Sequence, residues 1–277
     1  MNIFESAFLG IVQGLTEFLP ISSTAHLRIV PSFLGWQDPG TAFSAVIQLG
    51  TMLSVIIYFW KDLARIYGSL IKETFYRQKK LSQDSKLALW ILLGTIPISI
   101  FGLLFKDPIE QGLVRNLNMI AFHLIFFALL LSFSEYVSKQ NKSIAKINVL
   151  DVLLIGLAQS FALIPGVSRS AVTIMAGLLL GFKRSESARF SFLLSVPAVL
   201  LSGLLELRTL FYSITSHQET IVFADMLVGL FFACVSGYLT IGFLLKYLQT
   251  HRTYVFVVYR ILLGILIICL SYRGLIH

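Results

Sequence analysis

Two short stretches of this sequence hold residue types that could do chemistry together. The first is Gly10 to Leu27, GIVQGLTEFLPISSTAHL, and the second is Gly156 to Ile174, GLAQSFALIPGVSRSAVTI. Each is an apolar run broken by proline and a group of hydroxyl and ionisable side chains. Gln13 and Glu17 stand four residues apart and share one helical face. A carboxylate at membrane depth is costly and marks a functional site by default. Glu17, with Gln13 as a neutral helper, is therefore a candidate divalent-cation ligand or general base. Pro20 ends the first half-helix, and Ser22 or Ser23 can cap the next. His26, one turn beyond Ser23, is spaced to reach its hydroxyl. A hydroxyl beside an imidazole, with a carboxylate close by, is the set of parts for an activated nucleophile.

The second stretch reads as an anion cradle. Gly166 permits a tight backbone, the helix after it points N–H groups at a ligand, and Ser168, Ser170 and Thr173 add donors. Arg169 brings a planar fork suited to phosphate oxygens. It has no acidic neighbour in its own segment, so its counter-charge is either Glu17 or a substrate anion. Other polar residues in apolar runs have quieter readings. His123 is expected to pack or to hydrogen-bond structurally. Arg260, about two turns from a helix end, is expected to snorkel to the interface. Cys234 and Cys269 stand singly and read as packing residues.

The elements that must position these residues belong in a membrane. Hydrophobic residues make up 56% of the 277 and charged residues 13%, against about 25% charged in a soluble domain. The expected class is an all-α integral membrane protein. A full span needs roughly 20 apolar residues, and six stretches come close: 44–60, 87–105, 117–134, 190–205, 226–245 and 254–272. The segments 3–19, 23–35, 150–164 and 170–182 pair off around Pro-containing polar turns. They read as two re-entrant helical hairpins, tolerated only where protein or a water-filled cavity covers the broken backbone. The start, MNIFESAFLG, lacks the basic region and cleavage site of a signal peptide, so this segment is expected to stay in the fold.

The chain also repeats itself. A shift of 146 residues lays Gly10 on Gly156, Gln13 on Gln159, Ser22 on Ser168 and Ala25 on Ala171. The expected organisation is one membrane domain, 1–277, with repeat halves of about 1–140 and 148–277. Lys and Arg crowd segments 61–86, 135–151, 183–189 and 246–252 and are sparse in 106–116 and 206–225. The positive-inside rule puts the first group in the cytoplasm and both termini outside. Three spans per half is an odd number, so the halves run in opposite directions: an inverted-topology repeat of six spans and two hairpins. The net charge of +8 is thereby accounted for by topology, without a nucleic-acid partner. The polar stretch 72–86 is expected to be a solvated loop.

Taken alone, the residues imply a membrane site for an anionic, phosphorylated ligand. An enzyme acting on a lipid phosphate ester or anhydride fits, and so does a transporter of an anionic substrate, because inverted repeats with broken helices are a transporter plan. The Ser23–His26 pair favours the enzyme, since transport needs no nucleophile.

At these residues the chain resembles the undecaprenyl-pyrophosphate phosphatase family linked to bacitracin resistance. The resemblance runs nearly end to end, through GLTEFLPISSTAHL, FSAVIQLGT, ALIPGVSRSAVTI and FSFLLSVPA. The family's E/Q-x-x-x-E motif falls on Gln13 and Glu17, its serine-rich turn and histidine on Ser22, Ser23 and His26. Its PGxSRSxxT motif falls on Pro165, Gly166, Ser168, Arg169, Ser170 and Thr173. Gln13 replaces the glutamate of some members, and Ser44 stands where many have a carboxylate. The resemblance implies removal of one phosphate from a polyprenyl pyrophosphate in the bacterial plasma (inner) membrane, recycling the envelope's lipid carrier. It also implies a divalent cation, Mg²⁺ or Ca²⁺, held by Glu17 and Gln13. Arg169, Ser168, Ser170, Thr173, Ser22 and Gly166 would hold phosphates. Ser23 would attack while His26 exchanges protons, or His26 would itself attack or activate water. The site would open to the outer face. Flipping of the carrier lipid and assembly as a homodimer stay open.

Overall fold

The computed structural model describes residues 1–105, 116–215 and 223–274. The sparsely charged connections expected on the outer side lie mostly outside these described residues. Among the described residues every regular element is helical. Half of the chain forms α1 (Ile3–Phe18), α2 (Ser23–Leu34), α3 (Gly40–Tyr58), α4 (Trp60–Phe75), α5 (Gln83–Leu104) and α6 (Leu117–Val137). The rest forms α7 (Val149–Ser160), α8 (Arg169–Leu179), α9 (Arg184–Thr215), α10 (Phe223–Thr250) and α11 (Tyr254–Tyr272).

Four of these, α5, α6, α10 and α11, are long and apolar enough to cross a membrane. A fifth span arises if α3 and α4, bent by 75° at their junction, are counted as one. The expected span 190–205 falls inside α9. The solvated loop expected over 72–86 is narrower in the structure, because α4 runs to Phe75 and α5 starts at Gln83. Asp62 in the first turn and Lys72 in the last of α4 complement its dipole. Its Ile66 is fully buried while Trp60, Ile71 and Phe75 stay exposed.

Two helix starts 146 residues apart are capped alike. Asn2 and Asn148 each N-cap a helix in a capping box, closed by Glu5 and by Asp151. Helix α1 packs on α10, and α7 packs on α5. Both crossings are set by glycine pairs. A Cβ on Gly10 would lie 2.3 Å from the Gly229 carbonyl oxygen, and one on Gly156 would lie 2.5 Å from that of Gly94. Only glycine permits backbones to approach this closely. Helices α3 and α9 pack together, as do α6 and α11. The basic segments meet at one end of the molecule, where Arg189 bonds Asp62 at 2.6 Å and Arg184 bonds Glu135 at 2.5 Å. This arrangement leaves the two hairpin turns facing each other in the interior.

Candidate active site

The two turns are built alike. Ser22 and Ser168 occupy positive φ, 74° and 73°, as the N-caps of α2 and α8. Positive φ at a side-chain-bearing residue is sparsely populated and costs of order 1–3 kcal/mol, a strain that tends to collect at functional sites. Each serine accepts from the backbone N–H three residues on, Ala25 at 3.4 Å and Ala171 at 3.3 Å. Each also touches a hydroxyl two residues on, Thr24 at 3.0 Å and Ser170 at 3.1 Å. The caps set the first turn of each half-helix so that the next residue, Ser23 of one hairpin and Arg169 of the other, reaches Glu17.

Glu17 is the meeting point. Its Oε1 accepts from Arg169 Nη2 at 2.7 Å. Its Oε2 accepts from the Ser23 hydroxyl at 2.7 Å and from Gln13 Nε2 at 3.1 Å. The carboxylate is 8% exposed, so this is a buried pair, for which loss of one partner costs about 3–5 kcal/mol. Of the two counter-charges open to Arg169 from the sequence, Glu17 is the one it takes. The second limb of its fork, Nη1, is buried and without a partner among the described residues. A buried guanidinium N–H left free is rare and calls for an acceptor.

His26 is placed differently from the expectation. Its imidazole does not bond Ser23. Nδ1 donates to the Ser22 carbonyl at 2.7 Å, and Nε2 lies 2.6 Å from the Tyr259 hydroxyl. A carbonyl only accepts, so Nδ1 carries a proton, and in the neutral ring Nε2 accepts from Tyr259. The rings stack at 5.6 Å between centroids, 7° from parallel. The i to i+3 spacing failed because α2 starts at Ser23 itself: a side chain at the first helical position leans back to the preceding turn, where Glu17 waits.

The expected phosphate cradle is partly spent on holding the hairpins. Thr173 donates to the Arg169 carbonyl at 2.8 Å and touches Ser191 at 2.5 Å. Ser170 donates to the Leu19 carbonyl at 3.1 Å, and the Gly166 N–H reaches Thr24 Oγ1 at 3.4 Å. His123 donates to the Pro165 carbonyl at 3.0 Å, the structural part expected of it.

Arg260 corrects the sequence reading outright. It does not snorkel; it is fully buried. Its guanidinium donates to carbonyls of both turns, Pro20 at 3.2 Å, Val167 at 3.0 Å and Gly166 at 3.0 Å. It also reaches Leu124 and His123 on α6 at 3.1 and 3.5 Å. Distance from the helix end misled, because the two irregular turns bring a cluster of unpaired carbonyls to this depth. Tyr259 and Arg260 are adjacent, and both point to the site. A paired Tyr-Arg inside an apolar span was the signal available in the sequence.

A metal fits only in a limited way. Among the described residues no three His, Cys, Asp or Glu side chains come together. Gln13 Oε1, however, is a buried oxygen with no partner among them, beside the Glu17 carboxylate. Two hard oxygens suit Mg²⁺ or Ca²⁺ that keeps water and phosphate oxygens as its other ligands.

The chain is similar to known proteins along nearly its whole length. The family model described as bacitracin resistance protein BacA matches residues 6–266. An undecaprenyl-diphosphatase of Chlorobium phaeovibrioides is 49% identical, over 99% of this chain and 99% of that protein. One of Gloeobacter violaceus is 48% identical over 100% of this chain and 94% of its own length. One of Syntrophobacter fumaroxidans is 47% identical, over 99% of both.

Proposed function

Because this chain belongs to the bacitracin resistance protein BacA family, we infer that it is an undecaprenyl-diphosphatase. It hydrolyses undecaprenyl diphosphate to undecaprenyl phosphate and inorganic phosphate, recycles the lipid carrier for cell-wall synthesis and confers bacitracin resistance. Transport of an anionic lipid is the weaker reading, since the site holds a hydroxyl bonded to a carboxylate. The observation that carries the reading is the Arg169 fork, one limb on Glu17 at 2.7 Å and the other free, beside Ser23.

The diphosphate takes the free limb of Arg169, and the Ser168, Ser170 and Ser22 turns frame its oxygens. As Arg169 swings its charge to phosphate, Glu17 is left bonded to Ser23 as base to nucleophile. The Ser23 oxygen forms a bond to the terminal phosphorus, and its proton passes to Glu17. The bond from that phosphorus to the bridging oxygen breaks, and undecaprenyl phosphate leaves. Glu17 gives that proton to the departing bridging oxygen. Water then attacks the phosphoserine phosphorus and gives a proton to Glu17. The bond from phosphorus to the Ser23 oxygen breaks, inorganic phosphate leaves, and Glu17 returns the proton to Ser23. His26, tied to Ser22 and Tyr259, holds the strained turn that presents Ser23. Glu17 and Gln13 would hold the divalent cation, which supplies charge neutralisation for the diphosphate. Positioning and neutralisation do most of the work in phosphoryl transfer.

The reciprocal packing of α1 on α10 and α7 on α5 supports two halves, about 1–140 and 148–277, in an inverted repeat with two re-entrant hairpins. With that plan in a bacterial inner membrane, the site opens to the outer face, where the spent carrier is released. Phosphate release from undecaprenyl diphosphate by purified protein, with and without EDTA, tests the reading. Cation-dependent release that is lost in Arg169→Ala supports it; release unchanged in Arg169→Ala contradicts it.

A further inference from the structure

At the end of the molecule where the basic segments meet, a cavity of about 320 Å³ opens between α4, α5, α9 and the turn at Ile144. No residue of the two hairpin turns lines it. Helix α4 fixes its depth in the membrane. This helix carries Lys61, Asp62, Arg65, Lys72 and Glu73, too many charges for the hydrocarbon, and it bends 75° away from the apolar α3. By helical spacing Trp60, Ile71 and Phe75 share one face, and they are 57%, 70% and 79% exposed. A helix so built lies along the membrane surface with its apolar stripe at the acyl boundary. Trp90, two turns into α5, lines the cavity and suits the aromatic level of the interface. The cavity therefore sits at headgroup depth, in the leaflet that the positive-inside rule makes cytoplasmic.

Its charges are balanced. Arg65, Lys86 and Arg189 line it together with Asp84 and Glu186, and Asp62 bonds Arg65 at 3.0 Å and Arg189 at 2.6 Å. Three cations thus meet three carboxylates, and a simple anion finds no net attraction. Both signs nevertheless keep unused capacity. Lys86 is exposed and bonds no carboxylate among the described residues. Asp84 is held only at 3.6 Å by Arg65. Glu186 Oε2 accepts from the Ile144 N–H at 2.9 Å, which leaves Oε1 for another donor.

We propose that this cavity is a lipid site that takes a zwitterionic phosphoethanolamine headgroup. The phosphate sits on Lys86 and Arg65, and the primary ammonium donates to Asp84 and Glu186. An ammonium offers three N–H donors to the two carboxylates, whereas a choline offers none. At about 30 Å³ for each non-hydrogen atom, the cavity takes about 11 atoms, which is phosphoethanolamine with its glycerol carbons. The acyl chains leave past Leu87 and Trp90 along α5. A lipid held this way ties the start of α5 to the start of α9.

The test is native mass spectrometry of the purified full chain in detergent. It is titrated with dioleoyl phosphatidylethanolamine, phosphatidylcholine and phosphatidylglycerol, and with water-soluble glycerophosphoethanolamine. One phosphatidylethanolamine per chain should be retained, about tenfold more tightly than the choline lipid, as expected of charge-assisted hydrogen bonds in a cavity open to water. Lys86→Gln, at an exposed position where folding tolerates it, should weaken that binding about three- to tenfold. Asp84→Asn combined with Glu186→Gln should erase the preference over phosphatidylcholine. The ranking of lipids on the unaltered protein stands whether or not the double variant folds. Equal retention of the three lipids, tightest retention of phosphatidylglycerol, or a preference that survives these substitutions would overturn the proposal. Glycerophosphoethanolamine bound as tightly as the lipid would overturn it too, by placing the ligand's source in water.

Discussion

Replacing Arg260 by Leu should destabilise the protein by about 3–5 kcal/mol, through loss of the buried donor that several backbone carbonyls share. The magnitude follows from which carbonyls lose their donor. Those of His123 and Leu124 lie inside α6 and keep their helical hydrogen bonds. Those of Pro20, Gly166 and Val167 lie in irregular turns and receive no backbone donor among the described residues. Three orphaned carbonyls at about 1–3 kcal/mol each give the gross loss. Removing the guanidinium also relieves its own desolvation penalty of several kcal/mol, which brings the net down. Because Arg260 ties Pro20 of one hairpin to Val167 of the other, the loss should fall on the relative placement of Ser23 and Arg169. The assay is thermal unfolding in detergent, followed by tryptophan fluorescence, together with phosphate release. The variant should melt lower by many degrees and lose most activity, while Arg260→Lys, with three donors, should recover part of both. An Arg260→Leu protein with unchanged melting and turnover would refute this reasoning.

Other consequences follow from the same geometry. Tyr259→Phe removes the only side-chain partner of His26 Nε2 among the described residues and, by loosening the turn that presents Ser23, should slow phosphate release about tenfold or more. Its melting temperature should change little, which a thermal scan checks. Glu17→Gln should abolish turnover by at least about 10² if the carboxylate is the base, measured in single-turnover assays. Gly10→Ala and Gly156→Ala should each destabilise by about 1–3 kcal/mol through overpacking, because their Cβ atoms would strike the Gly229 and Gly94 carbonyls. Similar shifts for the two, seen by thermal unfolding, would mark the crossings as equivalent.

Much of this was legible in the sequence. Chain-breaking prolines between apolar runs, and the 146-residue echo of Ser22 in Ser168, locate both turns and the residues that flank them. The charge balance of Glu17 and Arg169 follows from the expense of isolated charge in an apolar setting. Partners across the fold were not legible. Helical spacing pairs Ser23 with His26, but the residue at a helix start points back over the preceding turn, and Ser23 bonds Glu17 instead. Nothing local to α11 says that Tyr259 meets His26 or that Arg260 meets two turns, since those contacts span 233 and 240 residues. Helix α4 was hidden because its apolar face is narrow and its charges read as loop. Its bend of 75° from α3 is a tertiary fact.

The central claim is that Ser23, held by Glu17, takes the phosphoryl group. Rapid mixing with undecaprenyl diphosphate, acid quenching and peptide mass spectrometry would test it most directly. The account predicts one phosphoryl group on Ser23 that appears and decays within the turnover time. A protein that turns over with Ser23 unmodified throughout, and with the label on His26 or on no residue, would contradict it.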